Sequence, residues 1–123
     1  MIAGTRPRMM RLAAQWADRY NTVWYGRPND EFQTDVDNLR AACQKLGRDI
    51  GEIEISAGMQ VNDREAGARR NDTDWLLDDS ADIADAFAEW QAQGVAEVMC
   101  RPDPASPAMV ETIVRATEKF WAA

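Results

Sequence analysis

Short apolar segments and amphipathic helical segments alternate four times along this chain, and this rhythm limits the possible folds more than any other feature. The clearest helical segment has its apolar residues four and three positions apart, at Phe32, Val36, Leu39, Cys43 and Leu46. The clearest strand, residues 53–61, alternates apolar with small or polar residues. Strands that alternate with helices form a parallel sheet with right-handed crossovers. The sequence therefore predicts an α/β fold of four strand–helix units, with residues 1–123 in one domain.

The first unit contains the most informative turn. A strand ends at residues 2–3, the turn is Gly4-Thr5-Arg6, and a helix is predicted over residues 7–19. Pro7 suits the first helical position, where the N–H group has no partner within the helix. Glycine allows close approach to the backbone, and the free amides of a helix N-terminus together with the Arg6 charge can bind a phosphate. Two interpretations stay open here, a phosphate site and an ordinary turn.

Capping residues indicate where the other helices begin and end. Asn29 is a predicted N-cap of the second helix, and Gly47 is its left-handed stop. Ser80 is predicted to cap the third helix, and Ser106 the fourth, with Pro107 in its first position.

Periodicity also predicts which side chains are buried. On the first helix the apolar stripe comprises Met9, Leu12, Ala13, Trp16 and Tyr20. On the last helix it comprises Val110, Ile113, Val114 and Phe120. Asp35 and Asp37 face away from the stripe of the second helix and are predicted to be solvated.

Three further features leave alternatives open. Trp24 ends the second strand, residues 20–25, where its ring either walls a flat ring pocket or packs in the core. Gly58, inside the third strand, predicts a close backbone approach or a bulge. In the irregular segment 62–79, a basic cluster either contacts a phosphate or belongs to a solvated loop; it comprises Arg64, Arg69 and Arg70.

Composition excludes several classes of function. Fourteen Lys and Arg against 21 Asp and Glu give a net charge of −7, which argues against nucleic acid and anionic membranes as partners. Histidine is absent, which removes Ser-His-Asp and Cys-His catalysis and the usual metal sites for zinc. Cys43 and Cys100 indicate reduced thiols rather than a disulfide framework. No apolar run approaches the ~20 residues of a membrane span and no signal peptide is visible, so we expect a cytoplasmic protein.

Three segments together resemble a known family. Residues 2–21 read IAGTRPRMMRLAAQWADRYN, residues 53–58 read IEISAG and residues 94–101 read GVAEVMCR. In order and spacing they resemble the bacterial luciferase-like family, which contains flavin- and F420-dependent oxidoreductases and monooxygenases. The sequence departs from the family pattern at Thr5-Arg6, where a second glycine or Ser-Gly is common, and at Arg19, where a glycine usually follows Ala-Asp.

The resemblance implies a fold, a cofactor and a site. It places this chain at the C-terminal half of a (β/α)8 TIM-type barrel, with FMN or F420 and a small-molecule substrate at the C-terminal mouth. The candidate cofactor-binding residues are Gly4, Thr5, Arg6, Trp24 and Arg101. Gly4, Thr5 and Arg6 would approach the cofactor phosphate. Arg101 would bind a second anionic group or pair with an acid such as Asp103, and the catalytic residues stay unknown.

A half barrel implies a partner. It leaves two strand edges and, as we expect from the sequence, an apolar concave face, which need a missing N-terminal half, a second copy or a different subunit to cover them. Two other hypotheses remain. One is a non-catalytic half-barrel module that acts as a homodimer or subunit, and the other is an open doubly wound sheet that binds another nucleotide and has helices on both faces.

Overall fold

Strands and α-helices alternate along the computed structural model, which describes residues 1–62 and 79–123. In chain order the elements are β1 (Ile2–Ala3), α1 (Pro7–Trp16), β2 (Arg19–Tyr25), α2 (Asp30–Leu46), β3 (Glu54–Asn62), α3 (Ser80–Ala92), β4 (Val95–Asp103) and α4 (Pro107–Ala122). A short 3-10 turn, Ile50–Glu52, precedes β3. The basic cluster of Arg64, Arg69 and Arg70 lies outside the described residues.

The strands form one parallel sheet in the sequential order β1-β2-β3-β4. Right-handed crossovers that always move to the next strand place their helices on the same face of the sheet. The buried clusters agree, because helix residues such as Phe32 and Trp90 pack with Tyr25, Met59 and Val61 from alternate strand positions. The predicted strand–helix architecture is confirmed. The doubly wound hypothesis is wrong, because it requires a reversal of strand order and helices on both faces.

Helix caps are close to their predicted positions. The Asn29 side chain accepts from the Phe32 amide at 2.9 Å, and Gly47 ends α2 with a φ of 67°. Ser106 caps α4, as predicted. The cap predicted for α3 is wrong: the Asp79 carboxylate accepts from the Ala81 amide at 2.7 Å, and the neighbouring serine is already helical.

Helix α1 is shorter than predicted and turned about its axis. It ends at Trp16, and its buried residues are Met10, Ala13 and Ala14. Leu12 and Trp16 are 37% and 69% exposed, so their predicted burial is wrong. The physical reason is that small side chains allow the helix axis to come close to the sheet and to α2, which the larger side chains would prevent.

Helix α4 shows the same kind of difference. Met109 and Ala116 are its buried residues, whereas Val110 and Val114 are each about half exposed, against the prediction. Within the described part of the chain, the main packing partners of this helix are α3 and β4. The side of α4 that carries Val110 and Val114 is left exposed there.

Asp35 is buried rather than solvated. Its exposed fraction is 8%, and its carboxylate accepts a hydrogen bond from the Tyr25 hydroxyl. Tyr25 stands at the end of β2 and faces the helices, which brings the acid inward. Asp37 is exposed as predicted and accepts from Arg40 at 3.0 Å.

Candidate functional site

The concave face of the sheet, opposite the helices, is polar. Successive strand residues point to opposite faces, and the helix-facing positions are apolar. The other positions carry Arg19, Asn21 and Trp24 on β2, Glu54, Ser56, Gly58, Gln60 and Asn62 on β3, and Glu97, Met99, Arg101 and Asp103 on β4. The expectation of an apolar concave face is therefore wrong, because the apolar half of each strand is used against the helices.

A bulge in β2 turns Trp24 toward this face. Thr22 pairs with Ala57 and Tyr25 pairs with Met59, so Val23 and Trp24 together lie opposite Gly58. A Cβ atom on Gly58 would lie 2.5 Å from Trp24 Cε3 and 2.8 Å from Val23 Cγ1. The predicted close approach at Gly58 is thus observed, and the indole ring makes it. Bulges of this kind commonly re-aim a side chain beside a functional site.

Arg101 lies over the Trp24 ring. Its guanidinium carbon is 5.1 Å from the ring centroid, which is within the range of a cation–π contact. The structure therefore brings together two of the candidates that are 77 positions apart in the sequence. Both stand at the C-terminal ends of their strands, the end at which barrel enzymes carry their active sites.

Gln60 is a further candidate site residue that sequence reasoning missed. Its side chain is fully buried, and its Nε2 donates to Asn62 Oδ1 at 2.9 Å. Within residues 1–62 and 79–123, its Oε1 atom has no hydrogen-bond partner. The signal was present in the sequence, since Gln60 follows Gly58 at the alternate position and lies near the C-terminal end of a strand.

The Gly4 turn also lies at the C-terminal ends of the strands, since it directly follows β1. Gly4 has a φ of 118°, and the Tyr20 hydroxyl donates to its carbonyl oxygen at 2.8 Å, which fixes the turn on β2. Thr5 and Arg6 are exposed. Arg6 is the N-cap of α1 and supplies no side-chain hydrogen bond to the helix amides, whereas Asn29, Asp79 and Ser106 cap α2, α3 and α4.

The two groups of candidates occupy different parts of the mouth. The Gly4 turn follows β1, which is the immediate neighbour of the strand that carries Trp24. Arg101 is on β4, three strand spacings from β1, or about 14 Å. An extended ligand would be needed to contact both the turn and Arg101.

Arg19 lies at the opposite end of the sheet. Its guanidinium donates to Glu54 at 2.6 Å and to Glu97 at 3.0 Å, and so links β2, β3 and β4 near their N-terminal ends. Ser56 and Asn21 extend this network along the concave face. The departure from the family pattern at Arg19 therefore lies at the N-terminal end of the strands and not at the mouth.

The cysteines show no sign of reactivity. Both are free; Cys43 is buried and Cys100 is partly buried. Burial raises the pKa of the Cys100 thiol to about 11 and also raises the pKa of Cys43, so both thiols are protonated near neutral pH. In the described ranges there is no group of three or more carboxylate or cysteine side chains that could hold a metal ion. Nor is any helix there long and apolar enough to cross a membrane.

Solved structures share this fold. The F420-dependent tetrahydromethanopterin reductase of Methanopyrus kandleri matches 98% of this chain with a TM-score of 0.67 and 13% identity, over 49% of its own chain. The long-chain alkane monooxygenase LadA matches 98% with a TM-score of 0.71 and 15% identity, over 40% of its chain. An F420-dependent secondary alcohol dehydrogenase, solved with an F420–acetone adduct, matches 93% with a TM-score of 0.62 and 14% identity, over 47% of its chain.

These matches define the class of structure. The chain is half of a (β/α)8 barrel and spans less than half the length of each of these oxidoreductases. The fold class predicted from the sequence is confirmed by these matches, which agree in fold with the resemblance described above. Neither the family models nor the curated proteins contain a match to this sequence.

Proposed function

We propose that this chain is the C-terminal half barrel of a flavin- or F420-dependent oxidoreductase or monooxygenase and holds its cofactor at the mouth. The observation that carries the proposal is the arrangement of Trp24, Arg101 and Gln60 on the concave face, in a fold shared with F420-dependent enzymes. A flat ring, a cation and an unpartnered buried acceptor suit a planar heterocycle that has both carbonyl and N–H groups. When bound, that cofactor would supply hydride or oxygen chemistry, which the side chains here cannot perform.

The Gly4 turn is the proposed phosphate site. The first amides of α1 receive no side-chain cap, and this helix has no acidic residue in its first turn. Arg6 and Arg8 instead place positive charge at the positive end of the helix dipole, which is unfavourable unless an anion binds there. A phosphate would accept from the free amides and from Arg6, while Thr5 offers a hydroxyl donor.

A fluorescence titration of FMN and then F420 into the 123-residue chain tests the proposal. We expect saturable binding, weakened roughly tenfold or more by Arg6→Glu because a charge-assisted hydrogen bond becomes a repulsion. Arg40→Glu, on the exposed surface of α2, changes the charge by the same amount and serves as the control. Absence of binding by the folded wild-type chain would reject the cofactor proposal.

The flanks of the half barrel support a partner. Trp16 on α1 is 69% exposed and Trp121 on α4 is 75% exposed, and they belong to the two ends of the helix series. A groove at the β4 edge is lined by Phe87, Val98 and Phe120 together with Trp121. We propose that a complementary half barrel, either an N-terminal half or a second copy, packs against both flanks.

The exposed flanks also favour a second candidate, a non-catalytic module that acts as a homodimer or subunit. Light scattering at increasing concentration separates the two cases in combination with the titration. A discrete dimer that binds neither FMN nor F420 favours the module. A dimer that binds one of them favours a barrel mouth rebuilt from two copies.

A further inference from the structure

Gln60 presents an acceptor that no described residue of the protein uses. Its Nε2 is engaged by Asn62 Oδ1, so the orientation of the carboxamide is set and Oε1 is the atom left over. That oxygen is buried and has no partner among the described residues. Buried acceptors without partners are rare and unfavourable, and such a group therefore indicates a ligand that donates a hydrogen bond.

Arg101 places donors beside that acceptor. Gln60 and Arg101 are register partners on β3 and β4, so their side chains project from the same face of the sheet. The guanidinium lies over the Trp24 ring and is exposed, which leaves its N–H groups able to meet a ligand. One acceptor and one set of donors thus stand side by side at the mouth, next to a flat aromatic ring.

We propose that Gln60 and Arg101 recognise the imide edge of an isoalloxazine or deazaflavin ring. Gln60 Oε1 accepts from the imide N–H, and Arg101 donates to the adjacent ring carbonyl, while Trp24 lies against the ring system. Both rings carry this edge, an N–H group between two carbonyls, so the assignment covers FMN and F420 alike. It rests on the proposed function and adds the residues that orient the ring.

The test compares FMN with 3-methyl-FMN, in which a methyl group replaces the imide hydrogen and leaves the carbonyls in place. Wild-type protein is expected to bind FMN roughly tenfold or more tightly than the methylated analogue, because the buried acceptor then stays unpaired. Gln60→Met, which has a similar length and no acceptor of comparable strength, is expected to bring this ratio close to one. Gln33→Met, an exposed position on α2, is the matched control and should keep the wild-type ratio.

Arg101→Met should weaken both ligands by similar factors, since the carbonyls are the same in each. Equal affinity of wild-type protein for FMN and 3-methyl-FMN would overturn the inference and leave the proposed function intact. This comparison needs no variant, so it decides the point even when Gln60→Met does not fold. Retention of the wild-type ratio by folded Gln60→Met would overturn the assignment to Gln60. Absence of any FMN or F420 binding by wild-type protein would overturn the proposed function and this inference together.

Discussion

Gly58→Ala offers the sharpest test of the mouth geometry, because the sign of its effect depends on one contact. At a glycine whose φ is not positive, an added methyl group ordinarily stabilises a protein by about 0.4–1 kcal/mol through the unfolded chain. Here the new Cβ would lie 2.5 and 2.7 Å from two atoms of the Trp24 ring, where ordinary contacts begin at 3.4 Å. The indole must therefore move by nearly an ångström, which disturbs its contact with Arg101.

Overpacking of this kind costs about 1–3 kcal/mol, and loss of the exposed cation–π contact costs about 0.5–1 kcal/mol more. We expect a net loss of about 2 kcal/mol in the free energy of unfolding. With a urea m-value of about 2 kcal/mol/M for a small protein, the midpoint of urea unfolding should fall by roughly 1 M. Far-ultraviolet circular dichroism measures this midpoint. Gly51→Ala is the control, because its nearest atom is a flexible carboxylate oxygen of Asp49 at 3.3 Å.

A second variant isolates the cause. Combining Gly58→Ala with Trp24→Ala removes the ring that the methyl group would strike, so the two changes should be strongly non-additive, with a coupling of about 1 kcal/mol or more. A midpoint for Gly58→Ala at or above the wild-type value would refute the placement of Trp24 against Gly58. Additive losses in the double variant would do the same.

Three other predictions concern the core, a helix end and the flanks. Burial raises the pKa of Tyr20 and Tyr25 above the usual 10.0. Native protein should therefore show no tyrosinate absorbance near pH 10, and its free energy of unfolding should fall as the pH rises above that value. Half-ionised tyrosine in folded protein at pH 10 would contradict this. Arg48→Ala should lower the free energy of unfolding by about 1–3 kcal/mol in a urea titration, because the Ala17 carbonyl at the end of α1 loses a donor at 2.7 Å, and Arg48→Lys should recover part of the loss. If the partner is a second copy, Trp121→Glu should abolish self-association in sedimentation velocity with an unchanged circular dichroism spectrum, and an undiminished dimer would show that this flank is not the interface.

Local chemistry is the part of the fold that the sequence predicts well. Asn29, Gly47 and Ser106 each act within a few residues of their own position, and their roles as helix caps agree with the structure. Element order follows from the same kind of signal, because strand and helix periods differ. Right-handed crossovers alone do not fix the strand order, since a doubly wound sheet has them too. The half barrel was an expectation from the family resemblance, and the sequential strand order of the structure agrees with it.

Burial on helices was less predictable, because it depends on what stands beside the helix. On α1 the alanines, and not Leu12 and Trp16, face the interior, because their small side chains allow closer packing. On α4 the side that carries Val110 and Val114 is about half exposed in the described chain. Both exposed stripes would be explained by a partner on each flank, so the errors in predicted burial support the proposal that the half barrel is completed by another unit.

The mouth shows why part of the site could be predicted and part could not. Trp24 was identified from its position at the end of a strand, whereas Arg101 was a candidate through the family resemblance, which places it at the same mouth. Gln60 also lies near the end of a strand, yet its importance depends on a count of hydrogen-bond partners that only a three-dimensional arrangement provides. The bulge opposite Gly58 could not be predicted from the strand pattern either. It matters because a shift of register by one residue moves the following side chain to the other face of the sheet. Gly58 was the sequence feature that indicated the bulge and the close contact, because a strand position without a side chain leaves room for the Trp24 ring.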